Sequence, residues 1–260
     1  MSALAMPSVL AVRAQEVRTQ VESRLPAALA IRKPLPAETL SLGVAGLPGV
    51  PRGALTEICG AASSGRTTLL LSLLSETTRH QQACALVDAG NAFDPASAAR
   101  AGVDLARLLW VPAAAGHGGP MSRLEQTLKA TDLLLAAGGF ALVALDMADL
   151  PATAVRRIPL ASWFRFRRAV EGTSTALVAL EPQPFAQSSA SLVLRLKLRG
   201  GRWAAAGEAA VPSHARRLAG LEIEVETARD RVLSPGKFPP QRCTEIFLDT
   251  QQFYEPHAAV

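Results

Sequence analysis

The chain has 260 residues, a net charge of +5, 49% hydrophobic and 19% charged residues, enough apolar side chain to fill a core and too ordered a composition for a low-complexity polymer. Its longest apolar run, Leu133 to Leu145, is bounded by Asp132 and Asp146 and is too short to cross a bilayer, and no charged segment followed by an apolar run marks a secretion signal. Three cysteines, Cys59, Cys84 and Cys243, have neither C-x-x-C nor metal-ligand spacing, which argues against a disulfide framework or a zinc site.

A cytoplasmic protein without membrane contact is therefore expected, with Cys59 and Cys84 as small core residues. In chain order, Leu10, Ala14, Val17, Val21 and Leu25 recur at helical spacing and stack on one face, so residues 8–25 are expected to form an amphipathic helix, a self-association candidate. Pro26 ends the pattern, and Arg32 to Glu38 (RKPLPAE) is a linker. We divide the chain into an N-terminal helix and linker (1–38), a core (39–205) and a C-terminal extension packed on it (206–260).

From residue 39 onward short apolar strands alternate with helical stretches, the pattern of βαβ units and a parallel sheet. ALTEICG is a strand running into a Gly-rich loop, and Thr67 to Arg79 a helix with Leu69, Leu70, Leu73 and Leu74 on one period. Ala83 to Ala89 and ARLLWVP are strands, and Ser122 to Ala137 is a helix with Leu124, Leu128 and Leu135 inward. FALVALDMADL is a strand ending in Asp146, apolar on both faces. Thr153 to Glu171 is helical but split by Pro159, with Trp163, Phe164 and Phe166 serving the core and Arg156, Arg157, Arg165, Arg167 and Arg168 read first as a solvated helix face and second as a basic surface for a partner or DNA. STALVAL is a further strand. SLVLRLKLRGGRW sets Leu192, Leu194, Leu196 and Leu198 against Val193, Arg195, Lys197 and Arg199, so one buried and one cationic face are expected. LEIEVETARDR and CTEIFLD form a closing strand pair.

The segment Gly60-Ala61-Ala62-Ser63-Ser64-Gly65-Arg66-Thr67-Thr68 carries the chemistry. It has the spacing of a G-x-x-x-x-G-K-[ST] phosphate loop, with a strand before it and a helix after it, but Arg66 stands where lysine belongs. Such a loop works through inward-pointing backbone N–H groups, the helix N-terminus, a point charge on the β/γ-phosphates and a hydroxyl on Mg²⁺. A longer, planar guanidinium keeps the charge and loses the shape, so weakened binding and impaired hydrolysis are expected. Asp146 stands where a strand-terminal metal aspartate belongs and would reach Mg²⁺ through water beside Thr67. The nucleotide-binding candidates are Gly60, Ser63, Ser64, Gly65, Arg66, Thr67 and Thr68, with no catalytic residue assigned.

With these motifs, residues 40–112 resemble bacterial RecA recombinases, through their Gly-rich lead-in, E-I-x-G strand, S-S-G-x-T-T loop and D-P…A…G-V-D…L-L segment; a thinner likeness continues to about residue 200. The resemblance implies a RecA-type α/β core with a mainly parallel central sheet flanked by helices. Two departures stand out. The family's water-positioning glutamate follows the second strand in a D-A-E context, and this chain has Asp88-Ala89-Gly90; Asn91 and Asp94 are the nearest substitutes. The segments MADLPATAVRR and EPQPFAQSSASL replace two long DNA loops and are shorter, with Gln183 near the family's sensor glutamine. The lead-in Pro51 to Glu57 and the C-terminal strand pair, with Cys243 where Trp is usual, further resemble the ImuA-type RecA-like proteins of bacterial mutagenesis cassettes.

That likeness implies an accessory role in damage-induced translesion synthesis (SOS mutagenesis), with an inactive polymerase-like partner, an error-prone DNA polymerase and RecA. No cofactor would be required, and binding of ATP and Mg²⁺ without efficient hydrolysis is left open. The alternatives are a slow DNA-dependent ATPase, an ATP-sensing regulator and a DNA-binding module using the arginine cluster, with homo-oligomerisation and weak DNA binding open.

Overall fold

The computed structural model describes residues 38–113, 120–204, 217–231 and 242–249. The chain divides into two units, residues 1–37 and 38–260, and every described residue belongs to the second. The expected helix over residues 8–25 lies outside the described residues.

Ten strands and five helices are described. They are β1 Thr39–Leu40, β2 Val50–Pro51, β3 Leu55–Gly60, α1 Arg66–Arg79, β4 Cys84–Asp88, α2 Pro95–Arg100, β5 Leu108–Pro112, α3 Pro120–Ala137, β6 Leu142–Asp146, α4 Ala152–Val155, α5 Leu160–Val170, β7 Ala176–Glu181, β8 Leu192–Ala204, β9 Arg217–Asp230 and β10 Arg242–Asp249. β1 and β2 pair with each other; the other eight strands form one sheet in the order β10-β9-β8-β3-β7-β6-β4-β5. From β8 to β5 all neighbours are parallel, while β9 and β10 run antiparallel. This is the mainly parallel α/β core that the sequence led us to expect.

The apolar runs follow from burial on both sheet faces. Ile58, Ala144, Val178 and Leu194 turn to one face, where Leu69, Leu70, Leu73 and Leu74 of α1 cover them. Leu55, Val143, Leu145, Leu177 and Ala179 turn to the other, beneath Leu124 of α3 and Trp163 and Phe166 of α5. Leu128 and Leu135 pack at the edge of that second layer. Punctuation sets the boundaries: α2 starts at Pro95 behind Asp94, whose carboxylate accepts the Ala96 and Ser97 amides, and α5 starts after Pro159. Among the described residues no helix is long and apolar enough to cross a membrane.

Three expectations need correction. Leu198 is 39% exposed, because the β8–β9 register shifts between Leu198 and Gly200 and breaks the alternation of faces. Phe164 is 41% exposed: α5 buries Trp163 and Phe166, and Phe164 projects from the other side. The cationic face of β8 is not a free positive surface. β9 lays a row of glutamates beside it, pairing Arg195 with Glu226 at 3.7 Å, Arg199 with Glu224 and Arg202 with Glu222 at 2.9 Å.

Candidate nucleotide site

The phosphate-loop segment lies at the carboxyl end of the parallel strands, where open α/β sheets hold their ligands. Ser63 and Gly65 both take left-handed backbone conformations, at φ 61° and 91°, and Gly65 is the N-cap of α1. Glycine is needed at 65 twice over. Besides the positive φ, a Cβ there would lie 2.1 Å from Ile223 Cδ1 on β9. Gly60 is pressed as closely, for a Cβ there would lie 2.4 Å from Leu196 O and 2.5 Å from Ser64 Oγ. No side chain caps α1 and no acidic residue occupies its first turn, so its N-terminal amides keep their capacity for an anion. Thr67 is exposed beside them, and Ser64 is buried with its hydroxyl unpartnered among the described residues.

Arg66 departs from what a phosphate-binding cation requires. It is only 6% exposed, and its Nη1 is buried without a hydrogen-bond partner among the described residues. Burial lowers its pKa, while the charges of Asp146 and Asp149 pull it back up. The side chain is thus held inside, within electrostatic reach of two carboxylates but bonded to neither.

Asp146 ends β6 beside Asp88 of β4, and accepts the Ala148 amide at 2.9 Å. Burial pushes its carboxyl up to about 6, the charges of Asp88 and Asp149 add to this, and Arg66 and the amide oppose it. Asp88 is consumed structurally: it accepts the amides of Gly90, Ala92 and Phe93 and so shapes the turn after β4. Asn91 donates its side-chain amide to Ala113 O, and Asp94 caps α2, so both nearby polar residues have structural employment.

The residue that sequence reasoning missed is Asp149. A Cβ on Gly90 would lie 3.2 Å from Asp149 Cβ and 3.3 Å from its Oδ2. The glycine leaves a volume, and a carboxylate from the turn after β6 fills it. The signal was D-x-x-D with a tight turn, closed by Leu150 N on Met147 O at 3.1 Å.

Gln183 sits with Cys59, Gly60, Arg195 and Lys197 in a crevice of about 570 Å³ at the ends of β3, β7 and β8. The arginine cluster is divided. Arg165 makes a bidentate bond to Asp132, at 2.9 and 2.8 Å, and lies over the Phe166 ring. Arg156, Arg157 and Arg168 are exposed, and Arg167 is half-buried.

The site brings together the loop residues 60–68, Asp146 and Asp149; of the surface arginines, Arg156 and Arg157 follow α4, and Arg165, Arg167 and Arg168 lie on α5. As a cradle for phosphates the loop fits, with open amides and an uncapped helix. For metal, no group of three or more His, Cys, Asp or Glu in ligand geometry exists among the described residues.

Residues 29–155 match the family described as RecA N-terminal domain. The chain is 40% identical to Protein RecA of Ectopseudomonas oleovorans over 109 residues, 42% of this chain and 29% of that protein. Against Protein RecA of Rickettsia canadensis it is 40% identical over 101 residues, 39% of this chain and 27% of that protein. Protein RecA of Brucella anthropi gives 39% over 113 residues. The chain thus spans less than a third of the length of these curated relatives.

Proposed function

We propose that this chain, a member of the RecA-like superfamily, is a DNA-repair accessory of the ImuA type, acting in damage-induced translesion synthesis through protein contacts rather than by turning over ATP. The observation that carries this is the state of Arg66. The one cation of the phosphate loop is buried, and the carboxylates of Asp146 and Asp149 lie within electrostatic reach of it. With Gly90 bare, the turn after β4 offers no group to position water, a contribution commonly of about 10²–10⁴-fold. If ATP binds, the amides of Ser63, Gly65, Arg66 and Thr67 and the α1 N-terminus hold its phosphates, while the Ser64 amide stays on Ala61 O and Thr67 and Asp146 flank any Mg²⁺. The partners we assign are the inactive polymerase-like protein of the cassette, the error-prone polymerase and RecA, with the exposed arginines and the 8–25 segment as contact regions.

A second reading rests on Asp149. A carboxylate standing over Gly90 is placed to hold a water near the loop, which would make the protein a slow ATPase. Mg²⁺-dependent ATP turnover, measured with and without single-stranded DNA and RecA, separates the two. Turnover indistinguishable from buffer, together with retention of RecA or the polymerase-like protein on the immobilised chain, is the expected result. Turnover lost in Asp149→Asn would establish the slow enzyme instead.

A further inference from the structure

Two carboxylates lie in strands that are otherwise apolar, Glu57 in β3 and Glu181 at the end of β7. The strands are parallel neighbours, with Glu57 opposite Ala179 and Cys59 opposite Glu181. Side chains alternate with period two, so Glu57, Cys59 and Glu181 share one face, and the two glutamates are diagonal neighbours on it. Both are 0% exposed. Glu57 Oε1 accepts the amides of Phe185 and Ala186, each at 2.6 Å. Glu57 Oε2 and both oxygens of Glu181 have no hydrogen-bond partner among the described residues.

The cations facing the pair are Arg195 of β8 and Arg229 of β9, and neither is in ion-pair contact with it. Arg195 is paired with Glu226, and Arg229 donates to Gln187 O. The remaining titratable neighbour, Cys59, points its Sγ to Leu194 O. Two ionised carboxylates side by side without a contacting cation cannot both persist in such a place.

We infer that Glu57 and Glu181 hold one proton between them, and that this shared proton latches the segment 182–186 to the strand that carries the phosphate loop. Glu57, with two amide donors on Oε1, keeps the negative charge. Glu181 keeps the proton and donates it to Glu57 Oε2, which satisfies one orphan acceptor and removes one buried charge. Burial foremost, then the neighbouring Glu57, raises Glu181 well above the usual carboxylate range; the Phe185 amide, bonded to Glu57, opposes this only weakly from nearby. The consequence is mechanical. Gly60 follows Glu57 by three residues, and Pro182 to Pro184 line the crevice beside it, so the crevice wall and the loop move as one body while the proton stays. This holds whether or not the site turns over ATP.

The test uses the full chain at about pH 8, where Asp146, at about 6, is ionised. The infrared spectrum of the wild type should contain a protonated carboxylic C=O band that Glu181→Gln removes. Because the amide of Gln still donates to Glu57, that variant should keep the Phe185 and Ala186 amides protected from exchange within about threefold of wild type. Glu57→Ala should speed exchange at those two amides about tenfold or more over their neighbours. If Glu181→Gln does not fold, the wild-type band and its loss at higher pH carry the test. No protonated carboxyl band in the wild type, or exchange at Phe185 and Ala186 unchanged in Glu57→Ala, would overturn the latch.

Discussion

Gly90 and Asp149 compete for one volume: a side chain begun at residue 90 would meet the Asp149 carboxylate at 3.3 Å. No positive φ demands glycine at 90, so the glycine serves to make room. Gly90→Glu alone should therefore lower stability by about 1 kcal/mol, from crowding and from a second carboxylate beside the first. Asp149→Ala in the same chain should recover that loss. Thermal unfolding of the two single variants and the double gives the coupling; strictly additive effects would show that the two positions do not share space.

Replacing Arg66 with lysine should strengthen nucleotide binding. The shorter, compact ammonium leaves the buried position and can meet the β/γ-phosphates, which the guanidinium in its present orientation does not. An increase of about fivefold or more in affinity for a fluorescent ATP analogue with Mg²⁺ is expected. Equal affinity for the two proteins would mean that the loop's backbone geometry, not its cation, limits binding.

Asp146 makes the protein's stability fall with rising pH. Its carboxyl is raised in the folded state to about 6 from an ordinary 3.8, so the proton is bound more tightly when folded. The stabilisation it contributes is complete below the unfolded value and is lost as pH rises through the folded one. Asp146→Asn should flatten this part of the profile and add about 2 kcal/mol above pH 6, as read by urea unfolding. Parallel profiles for the variant and the wild type across that window would rule the carboxyl out as its source.

Gly65→Ala should be among the most damaging small substitutions in the chain. It imposes a Cβ at φ 91° and drives it into Ile223 Cδ1. Together these should cost about 2–4 kcal/mol, with part restored by Ile223→Val, which trims that methyl. Full stability in Gly65→Ala would show that β9 yields easily.

Most of the fold was legible in the sequence, and the reason is physical. Strands such as Leu142–Asp146 and Ala176–Glu181 are buried on both faces, so their composition alone marks them, and Pro159 divides the helical stretch where α5 starts, whereas the short helix behind Pro95 went unread. The candidate site was legible in part. The identity of the residues in the loop could be read, but the burial of Arg66 near Asp146 and Asp149 could not, because those carboxylates arrive from the end of another strand. Asp149 escaped notice because a three-residue turn, not a period, returns it over Gly90. The glutamates that neutralise β8 come from Glu222 to Glu226, and their pairing depends on a register that bulges set and the sequence does not print. The same bulges expose Leu198.

The contact between Gly65 and Ile223 also has a kinetic side. The left-handed turn of the phosphate loop is braced by a strand that the ribosome delivers after nearly the whole of the parallel sheet. Until β9 docks beside β8, the turn at Gly65 has nothing behind it. A nascent chain thus carries an unbraced loop through most of its synthesis, and closing it requires one of the longest-range contacts in the molecule, the kind that slows folding. The nucleotide site is in this sense finished only once the antiparallel end of the sheet begins to form.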